Sequence, residues 1–203
     1  MAGLRERKKE HTREAIQREA LQLFAGQGYD GTTCEQIAAA AGVSPATLYR
    51  YFATKEDIVL RDVYDPLIAG AVRARPADEA PLTAVRRGLA DAFAHVYQVE
   101  LEPIRQRTAL ILSVPALRAR SVEQQQSLVH HLGTALAERG AGDATDLRVQ
   151  VAASACAAAL GVAVEHWARS GGDLPALADA ALATLGDLAV NDPAAGAGRR
   201  AAR

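Results

Sequence analysis

A chain of 203 residues with 49% hydrophobic side chains can bury the core of one large or two smaller domains, and it is too apolar for a disordered protein. Its formal net charge of −1 excludes a polycation, so any nucleic-acid surface has to be local. The two cysteines, Cys34 and Cys156, make no disulfide framework and point to a reducing, cytoplasmic setting. The start "MAGLRERKKEHTREA" lacks the apolar stretch of a signal peptide. No uncharged apolar run reaches the ~18–20 residues of a membrane span; the nearest, 149–164, is alanine-rich and contains Gln150 and Ser154.

The apolar period is helical nearly throughout, with no convincing period-2 run, which predicts an all-α fold. A first helix spans about 7–26, with Ile16, Ala20, Leu23 and Phe24 on one face, and "GQGYDG" ends it. Thr33 and Gln36 have the spacing of a capping box and start a short second helix that stops at Gly42. Ser44 as N-cap with Pro45 at the first helical position opens a third, ending near Phe52. Thr54 caps a fourth, expected to run unbroken over 55–74. Beyond "RARPADEAPL", longer helices are predicted at 81–101, 103–113, 115–139, 145–170 and 174–190, with breaks at Pro103, Pro115, "ERGAGDATD" and "SGGDLP". The tail 191–203 has the composition of a disordered segment. The expected organisation is a small N-terminal unit of three helices (1–53) and a larger helical bundle (54–190), connected by helix 55–74.

Aromatics make up 4% of the chain, yet Tyr49, Tyr51 and Phe52 fall within four positions, beside Arg50 and close to Lys55. Two short helices joined by "AGVS" form a helix-turn-helix, whose second helix enters the major groove of DNA. Leu48 shares an inward face with Pro45 and Phe52, which turns Thr47, Tyr49, Arg50 and Tyr51 at least partly outward. Alone, Tyr49–Phe52 would read as a core cluster with a solvated arginine; the caps, the turn and the helix length together favour the DNA-facing reading. The segment "TTCEQIAAAAGVSPATLYRYFATKEDIV" closely resembles the DNA-binding domain of TetR-family transcriptional repressors, over roughly residues 11–62. That resemblance implies a double-stranded operator as partner and a homodimer as reader. It makes Tyr49, Lys55 and Thr33 expected phosphate contacts, and Ser44, Pro45, Ala46, Thr47, Arg50 and Tyr51 candidates for reaching base edges. The basic start (Arg5, Arg7, Lys8, Lys9) is interrupted by Glu6 and Glu10, so it reads equally as a solvated helix start or a DNA arm.

Several other patterns lead elsewhere. "GQGYDG" spells G-x-G-x-x-G, but a helix precedes it where a dinucleotide fingerprint needs a strand, so it reads as a helix end and no cofactor is expected. Cys34 opens the second helix, where a redox role is conceivable and a plain structural one more usual. His130 and His131 are adjacent, hence on different helix faces, and no metal-ligand spacing occurs. No nucleophile elbow, P-loop or spaced carboxylate pair suggests an enzyme.

In the C-terminal half, "RTALILSVPALRAR" and the two-helix ending are similar to the TetR subgroup containing the mycofactocin-system regulator, which hints at acyl-type, hydrophobic effectors. By that resemblance a small-molecule effector is expected among the middle helices, at Phe93, Tyr97, Leu101, Ile104, Thr108, Ile111, Leu112, Leu128, His131 and Trp167, most of which also serve as ordinary core. The resemblance implies that the last two helices of each chain build a four-helix dimer interface, for which the small residues of 145–170, with Ala158 and Gly161, and the stripe of Leu177, Leu182 and Leu185 are the candidates. The alternative is that both helices pack only within one chain. The whole reads as a ligand-responsive repressor; a DNA-binding regulator without effector, and a small helical enzyme, are the rival classes.

Overall fold

In the computed structural model, which describes residues 3–96 and 101–190, the described residues form helices and connecting turns without a strand. The helices are α1 (Leu4–Gln27), α2 (Cys34–Ala40), α3 (Pro45–Tyr51), α4 (Lys55–Leu60), α5 (Asp65–Arg73), α6 (Pro81–Val96), α7 (Leu101–Ser113), α8 (Pro115–Leu136), α9 (Leu147–Ser170) and α10 (Leu174–Val190). They sort into two compact units, one of residues 1–62 with 100–124 and one of 63–99 with 125–203. Tyr97 and the tail 191–203 lie outside the described residues.

The first unit is built by α1–α4, α7 and the start of α8. Its core contains Ile16, Ala20 and Phe24 of α1, Ile37 and Ala38 of α2, Leu48 and Phe52, Ile58 to Leu60, and Leu117. The i, i+4 spacing of Ile16, Ala20 and Phe24 puts one stripe of α1 against the short helices. α1 ends at Gly28, whose φ of +82° is cheap only without a Cβ, and whose N–H closes on the Phe24 carbonyl at 3.0 Å. "GQGYDG" is therefore a helix end and turn. Tyr29 then folds back, its ring 5.2 Å from that of Phe24.

The fourth helix departs from expectation. Instead of one helix over 55–74 connecting two domains, the chain forms α4, breaks at 61–64 and restarts as α5 with Pro66 in its first turn. In a continuous helix Pro66 would lack its N–H and press its ring on the carbonyl of Asp62. The break falls there, and residue 62 is the last of the first unit's N-terminal segment. α7 and the beginning of α8 also group with the N-terminal helices, whereas a boundary at 53/54 would assign them to the bundle.

The second unit packs α5, α6, the remainder of α8, α9 and α10 around Val72, Val85, Leu89, Leu132, Leu136, Ala153, Ala157, Leu160, Ala178 and Leu182. Gly88 of α6 meets α5 so closely that a Cβ there would lie 2.8 Å from the Val72 backbone. Arg86 of α6 forks onto Asp179 of α10 with two contacts of 2.8 Å. After α8 the chain widens into a π-type turn, Ala137–Ala141, and the largely buried Arg139 reaches back to the carbonyls of Arg75, Pro76 and Glu79, capping the loop that leads into α6. α9 is long and apolar enough, by length and composition, to cross a membrane; here Val149, Ala153, Cys156, Ala157, Leu160 and Ala163 supply the second core.

Candidate nucleic-acid interface

The geometry of the helix-turn-helix follows from its caps. The Gln36 N–H donates to the Thr33 hydroxyl at 3.3 Å, and the Thr33 N–H donates to the Gln36 side-chain carbonyl at 2.9 Å, so both halves of the capping box form. The second helix stops at Gly42, whose φ of +66° turns the chain for Val43 N–H to reach the Ala38 carbonyl at 2.9 Å. Ser44 then caps α3: its hydroxyl accepts from Thr47 N–H at 3.1 Å and donates to the Thr47 hydroxyl at 2.9 Å. Pro45 takes the first helical position, where no N–H is needed.

Leu48 has no exposed surface and Phe52 is nearly enclosed, so α3 is pinned on one face. The opposite face carries exposed Ser44, Pro45, Ala46, Tyr49 and Arg50, with Thr47 half-buried beside them. Tyr49 is 49% exposed, unusual for so large a ring. The nearby Cys34 thiol, with the charge of Glu35, holds the Tyr49 phenol above its ordinary pKa. Thr33 is exposed at the start of α2, where unpaired N–H groups and the helix dipole favour an anion.

Two expected residues have more internal roles than their motif suggests. Tyr51 is half-buried, and its ring lies 5.6 Å from the Arg13 guanidinium carbon and 5.4 Å from that of Arg50. Lys55 donates to the carbonyls of Tyr29 at 2.7 Å and Thr32 at 3.0 Å, with its ammonium 4.1 Å from the Tyr29 ring centre. Two of its three protons therefore hold the loop before α2, which leaves one for a phosphate. Tyr29 itself donates to Glu56 at 2.8 Å, and burial together with that carboxylate pushes its phenol pKa far up.

Sequence reasoning missed the groups that brace this head. Gln17 donates to the carbonyls of Ile58 and Arg61, both at 2.9 Å. Arg107 of α7 pairs with Asp62 at 2.7 Å and donates to the Arg61 carbonyl. Arg120 of α8 donates to Thr54 and Asp57. Polar residues on helices carry no pattern that distinguishes an internal brace from a solvated face, so nothing in the sequence marked them.

The expected effector residues fall in both units. Leu101, Ile104, Ile111 and Leu112 are half-buried, and Thr108 is buried with its hydroxyl on the Ile104 carbonyl at 2.9 Å; these five belong to the first unit. Phe93, Leu128, His131 and Trp167 belong to the second, where Leu128 and Trp167 are buried and the His131 Nδ1–H donates to the Ser127 carbonyl at 2.8 Å. Of the dimer candidates, Ala158 is exposed and Gly161, Leu177 and Leu185 are half-buried. Leu182 has no exposed surface in its own unit, so it cannot supply an interface as expected; it fills the core beneath.

Known proteins agree with this geometry. Residues 16–61 match the model of bacterial regulatory proteins of the tetR family, and residues 79–189 match that of the MftR C-terminal domain. The chain is 36% identical to the HTH-type transcriptional regulator TcmR of Streptomyces glaucescens over 151 residues, 71% of this chain and 67% of that one. It is 29% identical over 172 residues to MftR of Mycobacterium tuberculosis, which carries the name of a mycofactocin biosynthesis transcriptional regulator, covering 80% of this chain and 83% of that one. Among solved structures, the transcriptional regulator FadR from Bacillus subtilis in complex with stearoyl-CoA has a similar fold, with a TM-score of 0.55 and 22% identity over 85% of this chain and 96% of that one. These proteins are regulators of transcription rather than enzymes, and the chain belongs to the TetR family of bacterial transcriptional regulators, with a C-terminal domain of the MftR type.

Proposed function

We propose that the protein is a cytoplasmic repressor that binds a pseudo-palindromic operator as a homodimer and is released by a small, mostly hydrophobic effector. The observation that carries the DNA half is the contrast on α3: Leu48 and Phe52 are locked inward, while Tyr49 and Arg50 stand exposed between two capped helix starts. α3 enters the major groove, with Arg50 forking onto a guanine, Ala46 available to a thymine methyl, and Ser44, Pro45, Thr47 and Tyr51 along the same edge. Thr33, Tyr49 and the remaining proton of Lys55 take phosphates. No cofactor takes part.

The effector half rests on partly buried apolar side chains packed on the second unit's core, Phe93, Val129 and Val164 among them, which give a hydrophobic ligand surface to complete. The acyl-CoA in the FadR structure makes acyl thioesters and fatty acids a reasonable first panel. An inducer has to prefer the DNA-free dimer, and a tenfold loss of operator affinity needs ~1.4 kcal/mol of that preference.

The test is selection of binding sites from a randomised duplex pool, followed by affinity measurements over a range of salt. A two-fold symmetric site should emerge, with half-sites ~34 Å apart or a multiple of that. Arg50→Ala should relax one base position per half-site by ~1–3 kcal/mol. Lys55→Ala should weaken all sequences alike and lower the salt slope by about one. A pool that yields no preferred site removes the reading. A preferred site whose affinity no member of the ligand panel changes leaves a regulator without an effector of that class.

A further inference from the structure

Arg13 lies on α1, outside the helix-turn-helix, yet it reaches the end of the reading helix. Its guanidinium carbon is 5.6 Å from the centre of the Tyr51 ring, and that of Arg50 is 5.4 Å from the same centre. Tyr51 is half-buried against the first unit's core, so its ring is a fixed platform. Arg13 is fixed from the other side: its Nη1 is 3.5 Å from the Glu10 carboxylate. Glu10 also receives the guanidinium of Arg61, whose Nη1 donates to Gln17 at 3.1 Å. Arg50, by contrast, is an exposed side chain at the last turn of α3.

An exposed arginine loses much rotamer freedom when it is ordered, and the loss falls on binding unless the free protein has already confined it. A ring face within ~6 Å confines it by cation–π attraction. Two guanidiniums on one ring also repel each other, so where one is anchored the other is restricted to what remains. The carboxylate of Glu10 offsets part of Arg13's charge, which lets one ring hold both.

We infer that Arg13, anchored by Glu10 and stacked with Tyr51, is a positioning residue that presets the Arg50 guanidinium for its base pair. The inference rests on the proposed reading of bases by α3. Arg13 then governs how strictly one position of the operator is read, without itself touching a base.

The experiment uses the full-length chain and a randomised duplex pool, with wild type, Arg13→Met, Arg13→Lys, Arg50→Ala and the Arg13→Met/Arg50→Ala double variant. Thermal unfolding confirms that each is folded. Arg13→Met should lower discrimination at the Arg50 position about two- to fivefold, the size of an exposed cation–π contact, and leave the salt slope unchanged. Arg13→Lys, which keeps a cation for the ring, should restore most of it. In the Arg50→Ala background Arg13→Met should have no further effect at that position, the signature of two residues acting as one. If Arg13→Met costs the same in both backgrounds and lowers the salt slope by about one, Arg13 is a phosphate contact and the inference is overturned. If Arg13→Met changes neither discrimination nor slope, it is likewise overturned. If Arg50→Ala alone changes no base preference, the reading of α3 fails first and the inference falls with it.

Discussion

Arg120 of α8 holds Asp57 of α4: its Nη2 donates to one carboxylate oxygen at 2.7 Å, while the other oxygen accepts the Thr54 N–H at 2.8 Å. Arg120 also donates to the Thr54 hydroxyl at 3.0 Å, so one guanidinium grips both members of the capping box that starts α4. Burial alone would push the Asp57 carboxyl up, but the hydrogen bonds from Thr54 and Arg120 prevail and hold it below its ordinary value.

Replacing Arg120 with methionine keeps the stem and removes the grip. We expect a loss of ~1 kcal/mol in the stability of the first unit, the range of a partly exposed ion pair, with Thr54 still capping. Asp57 should titrate higher in the variant, read by NMR of its carboxyl carbon. A folded-state pKa depressed below the unfolded value contributes stability above the unfolded value and loses it as pH falls through the folded one. The wild-type advantage should therefore fade below about pH 4, near the ordinary aspartate value. An advantage that persists unchanged in acid would assign it to the Arg120 hydrogen bond with the Thr54 hydroxyl, which does not titrate, rather than to the charge on Asp57.

The second unit has its own acid-sensitive network. Glu79 accepts from Arg75 at 2.6 Å and from Arg87 at 2.6 Å, and Arg75 also pairs with Asp91 at 3.1 Å. The Arg75 hydrogen bonds, helped by Arg87, pull the Glu79 carboxyl down to about 2. The sign is again that of a depressed carboxylate: full contribution above the ordinary glutamate value, loss as pH falls towards 2. Glu79→Gln should be less stable than wild type at neutral pH, and the two should converge in acid, where Glu79 is protonated. Parallel denaturation curves at every pH would show that the charge contributes nothing.

The two cysteines should separate by reactivity. Cys156 is buried between α9 and its neighbours, and burial pushes its thiol up to about 11, so almost no thiolate is present at neutral pH. Cys34 is half-exposed at the start of α2. In native buffer the chain should take up one maleimide, at Cys34 by peptide mapping, and a second only in denaturant. Rapid double labelling of the native protein would mean that the core around Cys156 opens easily.

How much of this was legible in sequence depends on the kind of signal. The caps at Thr33, Ser44 and Thr54 are local: each needs a hydroxyl and a partner three residues on, and all three form. Leu48 and Phe52 follow from helical spacing alone, and both are buried. Pro66 is also visible in the sequence, and its ring against the Asp62 carbonyl breaks the helix expected over 55–74. The braces were not legible: Arg13, Arg107 and Arg120 meet partners 38 to 66 residues away along the chain, and nothing local encodes such pairs. The role of Leu182 failed for a related reason, since a leucine stripe does not say which of its members face the chain's own core.

The last prediction concerns pairing with a second copy. On α9, Leu147 is 75% exposed, Val151 58% and Val162 67%, and Ala158 is exposed on the same side. At 100° per residue these four positions fall within about 60° of one another, so they form a single apolar stripe along the helix. Leu188 of α10 is 68% exposed as well. An exposed apolar stripe of this kind marks a surface that is covered by something, and small residues such as Ala158 let a partner helix come close. Ala158→Phe is a clean probe because Ala158 is exposed within its own chain, so the added ring meets only a partner. It should leave the helical content and thermal unfolding of the separate chain intact while overpacking the seam by ~1–3 kcal/mol, a roughly five- to 150-fold rise in the dimer dissociation constant. Sedimentation at micromolar concentration should show the shift towards monomer, and operator affinity should fall with it, since each half-site then binds alone. A variant that stays dimeric with unchanged affinity would place the interface on another face, and a wild type that is monomeric at that concentration would remove the homodimer from the proposed function.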